Sequence, residues 1–273
     1  MEGNFIKCGN CVDLLREIPN NYVDLTVTSP PYDSLRKYKG YEFEFLPVAK
    51  ELNRVTKDGG IVVWIVNDST VNGSETGTSF NQALDFKKLG FKLYDTMIYK
   101  KHNPTPNAGK RYQQAFEYMF VFSKGKPKTT NIILRDRRNE CNDKRTQRIK
   151  KVNRDANGNF GTAKLYKVRE KVPRENIWEY KVGLYNSTSD KYAFEHPAIF
   201  PEKLALDHIL SWSNPGDIVL DPMAGSGTTM KMAALSKRNY IGFEISKEYF
   251  DIMDRRLNEL DVKKWEEYNL LKA

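Results

Sequence analysis

The chain has 273 residues, and 44 Lys and Arg against 35 Asp and Glu give it a net charge of +9. Its three cysteines exclude a disulfide-rich scaffold, and its apolar stretches are too short to form a membrane-spanning helix. Because the N-terminus also lacks the apolar region of a signal peptide, we expect a soluble protein of the cytoplasm.

Predicted strands and helices alternate along most of the chain. Apolar runs rich in β-branched and aromatic residues predict strands at 5–7, 23–27, 60–66, 91–99, 116–122, 218–220 and 240–243. Helical spacing of apolar residues predicts helices at 12–17, 43–55, 79–89, 201–212, 228–237 and from Glu248 onward. The strands at 91–99 and 116–122 are expected to form an antiparallel pair. The alternation predicts an α/β fold whose mainly parallel sheet is covered by helices on both faces.

A stiff polar and aromatic segment, Ser29-Pro30-Pro31-Tyr32, follows the second predicted strand. The two prolines fix two successive φ angles, and the carbonyls of Ser29 and Pro30 are left as hydrogen-bond acceptors. The Ser29 hydroxyl adds an acceptor, and the Tyr32 ring offers a stacking surface. We call these four residues the ledge. Acceptors beside a flat ring suit the exocyclic amine of a nucleobase, although a proline-rich turn without function fits the same letters.

A glycine turn, here called the glycine loop, follows the strand predicted at 218–220. It consists of Asp221, Pro222, Met223, Ala224, Gly225, Ser226, Gly227 and Thr228. Gly225 and Gly227 permit positive φ and close approach of a ligand to the backbone. The next predicted strand ends at Glu244, and an acid at this position usually binds the ribose hydroxyls of a nucleotide. Alternatively, Glu244 is a solvated carboxylate at a strand end with no role in binding. The spacing matches neither the G-x-G-x-x-G dinucleotide motif nor a phosphate loop.

The ledge and the glycine loop together resemble the motifs of the amino-methylating DNA methyltransferases. These enzymes transfer a methyl group from S-adenosylmethionine to adenine N6 or cytosine N4. The ledge precedes the glycine loop, as in the beta group of that family, and segments 196–204 and 8–11 also resemble it. The resemblance implies S-adenosylmethionine as the cofactor, double-stranded DNA as the partner, and a seven-stranded, Rossmann-like methyltransferase sheet in permuted order.

The resemblance also implies roles for individual residues. The catalytic residues are the four of the ledge, and the cofactor is bound by the eight of the glycine loop together with Asn10, Cys11, Phe200 and Glu244. Asn10 stands where the family usually has Asp, and Met223 stands where it usually has Phe. We expect no metal, because Cys8-x-x-Cys11 has no second pair and the three histidines are scattered. The cysteines, including Cys141, are expected to be small buried residues.

The central stretch 124–194 is predicted to be an insertion between a catalytic half, 1–123, and a cofactor-binding half, 195–273. Residues 124–183 carry 18 Lys and Arg against 7 Asp and Glu, a net charge of +11, so the remainder of the chain has a net charge of −2. Local basic charge indicates phosphate binding, although a solvated loop has the same composition. Since the family has its target-recognition region at this place, the stretch is predicted to read DNA.

The implied mechanism requires the target base to leave the duplex and stack on Tyr32, because pairing hides the amine. Tyr38, Tyr41 and Phe43 either line this pocket or pack ahead of the next helix. Ser29 favours cytosine N4, and adenine N6 stays an alternative. An RNA or protein-glutamine methyltransferase and a non-catalytic nucleic-acid-binding module are further alternatives. A cognate restriction enzyme and a homodimer are expected partners.

Overall fold

The apolar runs of the sequence form strands of one large sheet in the computed structural model, which describes residues 4–32, 43–104, 109, 111–137, 148–162, 164–167, 169–183 and 186–261. The strands are β1 (Asn4–Cys8), β2 (Val23–Thr28), β3 (Thr56–Val66), β4 (Thr70–Val71), β5 (Ser74–Glu75), β6 (Lys92–Lys101), β7 (Phe116–Ser123), β8 (Leu134–Asp136), β9 (Arg148–Lys151), β10 (Lys164–Lys167), β11 (Lys171–Pro173), β12 (Ile177–Tyr180), β13 (Ile218–Asp221) and β14 (Asn239–Glu244).

Six α-helices connect and cover these strands in the described part of the chain. They are α1 (Cys11–Arg16), α2 (Phe45–Val55), α3 (Thr78–Lys88), α4 (Glu202–Trp212), α5 (Thr228–Leu235) and α6 (Lys247–Asn258). A 3-10 helical turn spans Lys191–Glu195. Each predicted strand and helix is present, with ends that differ from the prediction by a few residues. None of the described helices is long and apolar enough to cross a bilayer.

The order of strands in the main sheet is β1-β14-β13-β2-β3-β7-β6-β12. Neighbouring strands from β1 to β3 are parallel, and β7 runs antiparallel to both β3 and β6, which confirms the predicted antiparallel pair. The N-terminal strand pairs with the last strand of the chain, so the sheet has the permuted order that the resemblance implies. The predicted α/β fold with a mainly parallel sheet is confirmed.

The described sheet has eight strands, one more than predicted. The additional strand is β12, which pairs in parallel with β6 at the sheet edge. Its sequence, Ile-Trp-Glu-Tyr, lies in the basic stretch and gives only four residues of alternation, with Trp178 and Tyr180 buried and the other two exposed. The pairing joins residues about 80 positions apart, for which the local pattern contains no signal.

Helices pack on both faces of the sheet because the strands are apolar on both sides. Helices α1, α2 and α3 cover one face, and α4, α5 and α6 cover the other. Along β3, Val62, Trp64 and Val66 belong to the core beneath the first three helices. On the other face, Gly242 of β14 lets α5 approach closely, since a Cβ at this position would lie 2.8 Å from Met230 Sδ.

Residues 132–175 form a compact unit separate from the rest of the chain. It contains two antiparallel pairs, β8 with β11 and β9 with β10. The separate unit is smaller than the predicted insertion 124–194, because β12 belongs to the main sheet and Val182, Gly183 and Phe194 line the cavity described below. Within the unit, Arg154 covers the ring of Phe160, whose side chain is 70% exposed.

Candidate active site

The ledge and the glycine loop follow neighbouring strands of the sheet. The ledge comes after β2 and the glycine loop begins at the end of β13, and these two strands are parallel partners. From β2 the chain continues to β3 on one side, whereas from β13 it continues to β14 on the other. The two segments therefore flank the point at which the strand order reverses, where open α/β sheets bind their ligands.

Backbone conformation and close packing explain both glycines of the glycine loop. Gly225 has φ +53°, and a Cβ there would lie 2.8 Å from His196 Nε2. Gly227 has φ +80° and precedes the first residue of α5, and a Cβ there would lie 2.6 Å from Met253 Cγ. Both positions exclude a side chain, so the loop presents bare backbone beside His196.

Glu244 lies at the end of β14 and faces the glycine loop. Its carboxylate accepts hydrogen bonds from the backbone N–H of Gly225 at 2.8 Å and of Ser246 at 2.9 Å. The residue is only 8% exposed, and burial raises the pKa of its carboxyl above the ordinary value. Glu244 is thus held in a fixed position in the wall of a cavity and offers further acceptor capacity to a ligand.

Asn10 and Cys11 line the cavity at the start of α1. The Asn10 side chain caps this helix by accepting from the N–H of Val12 at 2.8 Å. Burial raises the pKa of the Cys11 thiol to about 11, which keeps the thiol protonated at neutral pH. Cys8 is exposed, so the expectation that it is buried was wrong, and Cys141 lies outside the described residues.

The segment from His196 to Phe200 also lines the cavity. His196 Nδ1 accepts from the N–H of Ala198 at 3.1 Å, and the imidazole ring packs edge-on against Tyr249 with centroids 4.3 Å apart. These contacts hold the imidazole against Gly225. Phe200, predicted to contact the cofactor, lies in this wall.

The ledge takes part in a hydrogen-bonded chain of side chains. Ser29 Oγ lies 2.7 Å from Tyr32 Oη, and Tyr32 Oη donates to Glu117 Oε2 at 2.8 Å. Lys101 Nζ lies 2.7 Å from Glu117 Oε1, and both of these side chains are largely buried. Burial and the nearby Glu117 raise the pKa of Tyr99, another residue of this wall, above its usual range.

One cavity of about 900 Å³ connects the ledge with the glycine loop. The sequence-predicted residues in its lining are Asn10, Cys11, Ser29, Pro30, Pro31, Tyr32, Phe200, Pro222, Met223, Ala224, Gly225, Ser226, Thr228 and Glu244. Phe43 also lines it, whereas Tyr38 and Tyr41 lie outside the described residues. The volume is within the range of about 300–1,000 Å³ that is usual for ligand pockets.

Asp221 and Gly227 were predicted to bind the cofactor but do not line the cavity. Asp221 is buried beneath the loop, where its carboxylate accepts from Thr28 Oγ at 2.7 Å and from the N–H of Met223 at 3.1 Å. It therefore ties the end of β2 to the start of the glycine loop. Gly227 allows α5 to begin close to Met253.

A buried cluster of charges behind the glycine loop was not predicted. Arg256 of α6 donates to the carbonyl of Ser226 at 2.7 Å, to Asp190 at 2.8 Å and to Glu202 at 2.8 Å. Lys231 of α5 donates to the same two carboxylates at 2.8 Å. The cluster fixes the backbone of Ser226, a residue of the cavity wall, by joining α4, α5 and α6.

The described residues contain no group of three or more His, Cys, Asp or Glu side chains placed to hold a metal ion. The polar groups that line the cavity include backbone N–H groups, carbonyls, hydroxyls, side-chain amides and the charged side chains of Glu117, Glu244 and Lys101. Such groups bind an organic ligand through hydrogen bonds.

The comparison with known families decides which class of enzyme has this geometry. The sequence model of the N6 and N4 DNA methylases matches residues 23–255, most of the chain. The chain belongs to the DNA methylase family. This result confirms the predicted class, a DNA methyltransferase that modifies exocyclic amines with S-adenosylmethionine. The strand order and the cavity described above are thus those of a family member.

Individual relatives agree with this assignment. The chain is 59% identical over 236 residues to the orphan methyltransferase M.BamHII of Bacillus amyloliquefaciens. This alignment covers 86% of this chain and 88% of that protein. It is 26% identical over 283 residues to the type II methyltransferase M.HinfI of Haemophilus influenzae, covering 94% of this chain and 69% of that protein. Among solved structures, the cytosine-N4-specific PvuII DNA methyltransferase has the same fold, with a TM-score of 0.68 at 20% identity over 98% of this chain and 91% of that one.

Proposed function

We propose that this methylase transfers a methyl group from S-adenosylmethionine to the N4 amine of a cytosine that has been turned out of duplex DNA. One observation carries the proposal: the ledge, the glycine loop and Glu244 line a single cavity. A cofactor on the glycine loop and a base on the ledge therefore share one cavity, as transfer between them requires.

The cofactor end of the cavity fits S-adenosylmethionine. Gly225 presents its backbone to the cavity without a side chain, and the carboxylate of Glu244 is an acceptor for ribose hydroxyls. Asn10 offers an amide to the adenine amine in place of the usual Asp. The cofactor, when bound, supplies an electrophilic methyl group on a sulfonium centre.

The base end of the cavity fits a planar ring with an exocyclic amine. The Ser29 hydroxyl and the Pro30 carbonyl accept the two amine hydrogens, and the Tyr32 ring stacks on the base. Holding both hydrogens directs the nitrogen lone pair out of the hydrogen-bonding plane, where it is available as the nucleophile. Since pairing hides the amine in a duplex, the base enters the cavity by flipping.

Cytosine N4 is favoured over adenine N6 because the first residue of the ledge is Ser29 and not an acid. A hydroxyl with one carbonyl suffices for the smaller ring, whereas an acidic side chain would bind the amine through a stronger, charge-assisted bond. The test incubates the protein and labelled cofactor with DNA, with RNA and with protein separately, and locates the label by mass spectrometry of the digested nucleosides and peptides. We expect label in N4-methylcytosine. Label in N6-methyladenine would overturn the choice of base, and label confined to RNA or to protein glutamine would overturn the choice of substrate.

The basic unit 132–175 is proposed to read the DNA sequence. It carries 14 Lys and Arg against 6 Asp and Glu, so most of the basic excess of the chain lies in these 44 residues. Its antiparallel pairs are two-stranded ribbons, an element that fits the major groove. Phosphate contacts by this unit would make DNA affinity fall steeply with salt.

Replacing 132–175 with a short Gly–Ser linker tests this proposal. The cut points lie outside β12, so the main sheet keeps all its strands. We expect the shortened protein to bind cofactor normally and to lose both sequence preference and most of the salt dependence of DNA binding. Methylation of one defined sequence by the shortened protein would place the reader elsewhere.

The remaining partners stay predictions. Localisation in the cytoplasm, where a DNA substrate would be accessible, is one of them. A cognate restriction enzyme is tested by digestion of unmethylated host DNA with cell extract, and M.BamHII is named an orphan. A homodimer is tested by light scattering of the purified protein.

A further inference from the structure

We infer that Glu117 sets the direction of the hydrogen bonds in the ledge and thereby makes Ser29 an acceptor for the amine of the base. The inference rests on the proposed function, in which Ser29 holds an amine hydrogen. It adds a positioning residue that the sequence motif of the ledge does not contain, on β7, 85 positions from Tyr32.

The direction follows from counting protons along the chain of side chains. Glu117 is a carboxylate beside the Lys101 ammonium, 2.7 Å away, so its oxygens only accept. Tyr32 has a single hydroxyl proton, which it donates to Glu117 Oε2 at 2.8 Å. The contact of 2.7 Å between Tyr32 Oη and Ser29 Oγ must then use the proton of Ser29.

This direction matters for the base because a hydroxyl presents either a proton or a lone pair. With its proton directed to Tyr32, Ser29 Oγ turns its lone pairs toward the rest of the cavity. An exocyclic amine has two hydrogens to donate, so it meets an acceptor. If the chain ran the other way, the Ser29 proton would face the amine hydrogens, and the two donors would repel each other.

Lys101 makes the direction testable with an isosteric substitution. Lys101 can only donate hydrogen bonds, so in Glu117→Gln it donates to the oxygen of the new amide. The N–H₂ group of that amide then faces Tyr32. Tyr32 then accepts from the amide and donates to Ser29, and the whole chain is reversed. The side chain keeps its size and shape, so the cofactor end of the cavity is unchanged.

The experiment measures the single-turnover rate of methyl transfer at saturating cofactor and DNA, with cofactor affinity from calorimetry. We expect Glu117→Gln to slow transfer by about ten- to hundredfold, the scale of a hydrogen bond to a charged group, and to leave cofactor affinity within about twofold. Glu179→Gln is the matched control, because Glu179 pairs with the adjacent Lys100 outside the cavity, and it should keep the wild-type rate.

The double-mutant cycle with Tyr32→Phe separates direction from general damage to the site. Tyr32→Phe keeps the ring and removes the hydroxyl that joins Glu117 to Ser29, so this variant alone should be about tenfold slower. In the Tyr32→Phe background, Glu117→Gln should change the rate by less than about twofold, since its effect passes through that hydroxyl.

Equal cost of Glu117→Gln in both backgrounds, or a wild-type rate in either single variant, would overturn the inference while the proposed function stands. If Glu117→Gln does not fold, a wild-type rate in Tyr32→Phe is sufficient to overturn it. Failure of the wild-type protein to methylate any DNA would instead reject the proposed function, and the inference with it.

Discussion

Different kinds of chemical group face the ligand at the two ends of the cavity. At the cofactor end, the groups that face the ligand are mainly backbone, with Glu244 fixed by two backbone N–H groups and the glycine loop braced by buried Arg256. At the base end, they are side-chain hydroxyls and the Glu117–Lys101 ion pair, linked into one chain through Tyr32.

This difference separates binding from reaction. Backbone positions and buried charges resist rearrangement, so the cofactor end sets affinity through the fold of the protein. Side-chain hydrogen bonds at the base end decide how the amine of the base is oriented, and replacing one oxygen or nitrogen atom of a side chain can reverse their direction. Substitutions at one end should therefore alter cofactor affinity, and those at the other end should alter the rate of transfer.

The largest effect is expected for Arg256→Met, which removes the hydrogen bond that holds the Ser226 carbonyl of the glycine loop. The change breaks the ion pairs with Asp190 and Glu202 and leaves Lys231 to balance the charge of both partly buried carboxylates. We expect a loss of about 3–5 kcal/mol in the free energy of unfolding, measured by urea denaturation, together with weaker cofactor binding.

Arg255→Met provides the control for this change, because Arg255 is on the same helix but is exposed and pairs with Glu259 at the surface. Its loss in the free energy of unfolding should be much smaller than that of Arg256→Met, because solvent screens an exposed ion pair. Equal losses in the two variants would show that Arg256 does not brace the glycine loop.

The second effect concerns Glu244→Ala, which should weaken cofactor binding by about ten- to hundredfold. The carboxylate would no longer bind the ribose hydroxyls, and the N–H groups of Gly225 and Ser246 would lose their acceptor. Calorimetry measures the change, and Glu248→Ala, an exposed acid at the start of α6, is the control. Unchanged affinity in Glu244→Ala would assign this residue a purely structural role.

The third effect belongs to the base end. Tyr32→Ala removes the stacking surface, worth about 1–3 kcal/mol for a base on an aromatic ring, and it interrupts the chain from Glu117 to Ser29. We expect transfer to slow by at least about tenfold, with cofactor affinity nearly unchanged. Tyr94→Ala, a change at an exposed ring that packs on Trp212, should keep the wild-type rate. A normal rate in Tyr32→Ala would remove the ledge from the active site.

The smallest effect is a pH dependence of stability at the strand ends beneath the loop. Burial raises the pKa of Asp221 from an ordinary value of 3.8 to about 6. The folded protein therefore holds this proton more tightly than the unfolded chain, so the buried charge opposes folding above about pH 6, and this cost disappears as the pH falls from about 6 to about 4.

Asp221→Asn should remove that cost. The amide oxygen can still accept from Thr28 and Met223, while its N–H₂ needs a buried partner, which offsets part of the gain. We expect Asp221→Asn to gain stability relative to the wild type as the pH rises from about 4 to about 8, because only the wild type acquires a buried charge over this range; thermal unfolding follows the difference. A difference independent of pH would show that Asp221 is not charged in the folded protein at pH 8.

Local sequence was enough to predict the segments that shape the cavity. The prolines before Tyr32 and the glycines after β13 act through their own backbone conformation, and Glu244 is an acid at the end of β14, so each lies within a few residues of a strand. The strands themselves were predictable because residues 61–66 of β3 and 118–122 of β7 are continuous apolar runs.

The supporting residues were not predicted because they act across long sequence separations. Glu117 meets Tyr32 from 85 positions away, and Arg256 meets Asp190 from 66 positions away. Both residues nevertheless left a signal in the sequence. Glu117 is an acid within an apolar strand, and Arg256 lies on the buried face of α6, four positions after Ile252 and three after Met253.

A cofactor titration of the transfer rate, run side by side on Glu244→Ala and Tyr32→Ala, tests the division of the cavity most directly. If binding and reaction are separate, raising the cofactor concentration restores the rate of Glu244→Ala to near the wild-type maximum. The rate of Tyr32→Ala stays low at every concentration. Recovery of Tyr32→Ala at high cofactor, or a Glu244→Ala maximum as low as that of Tyr32→Ala, would contradict the division.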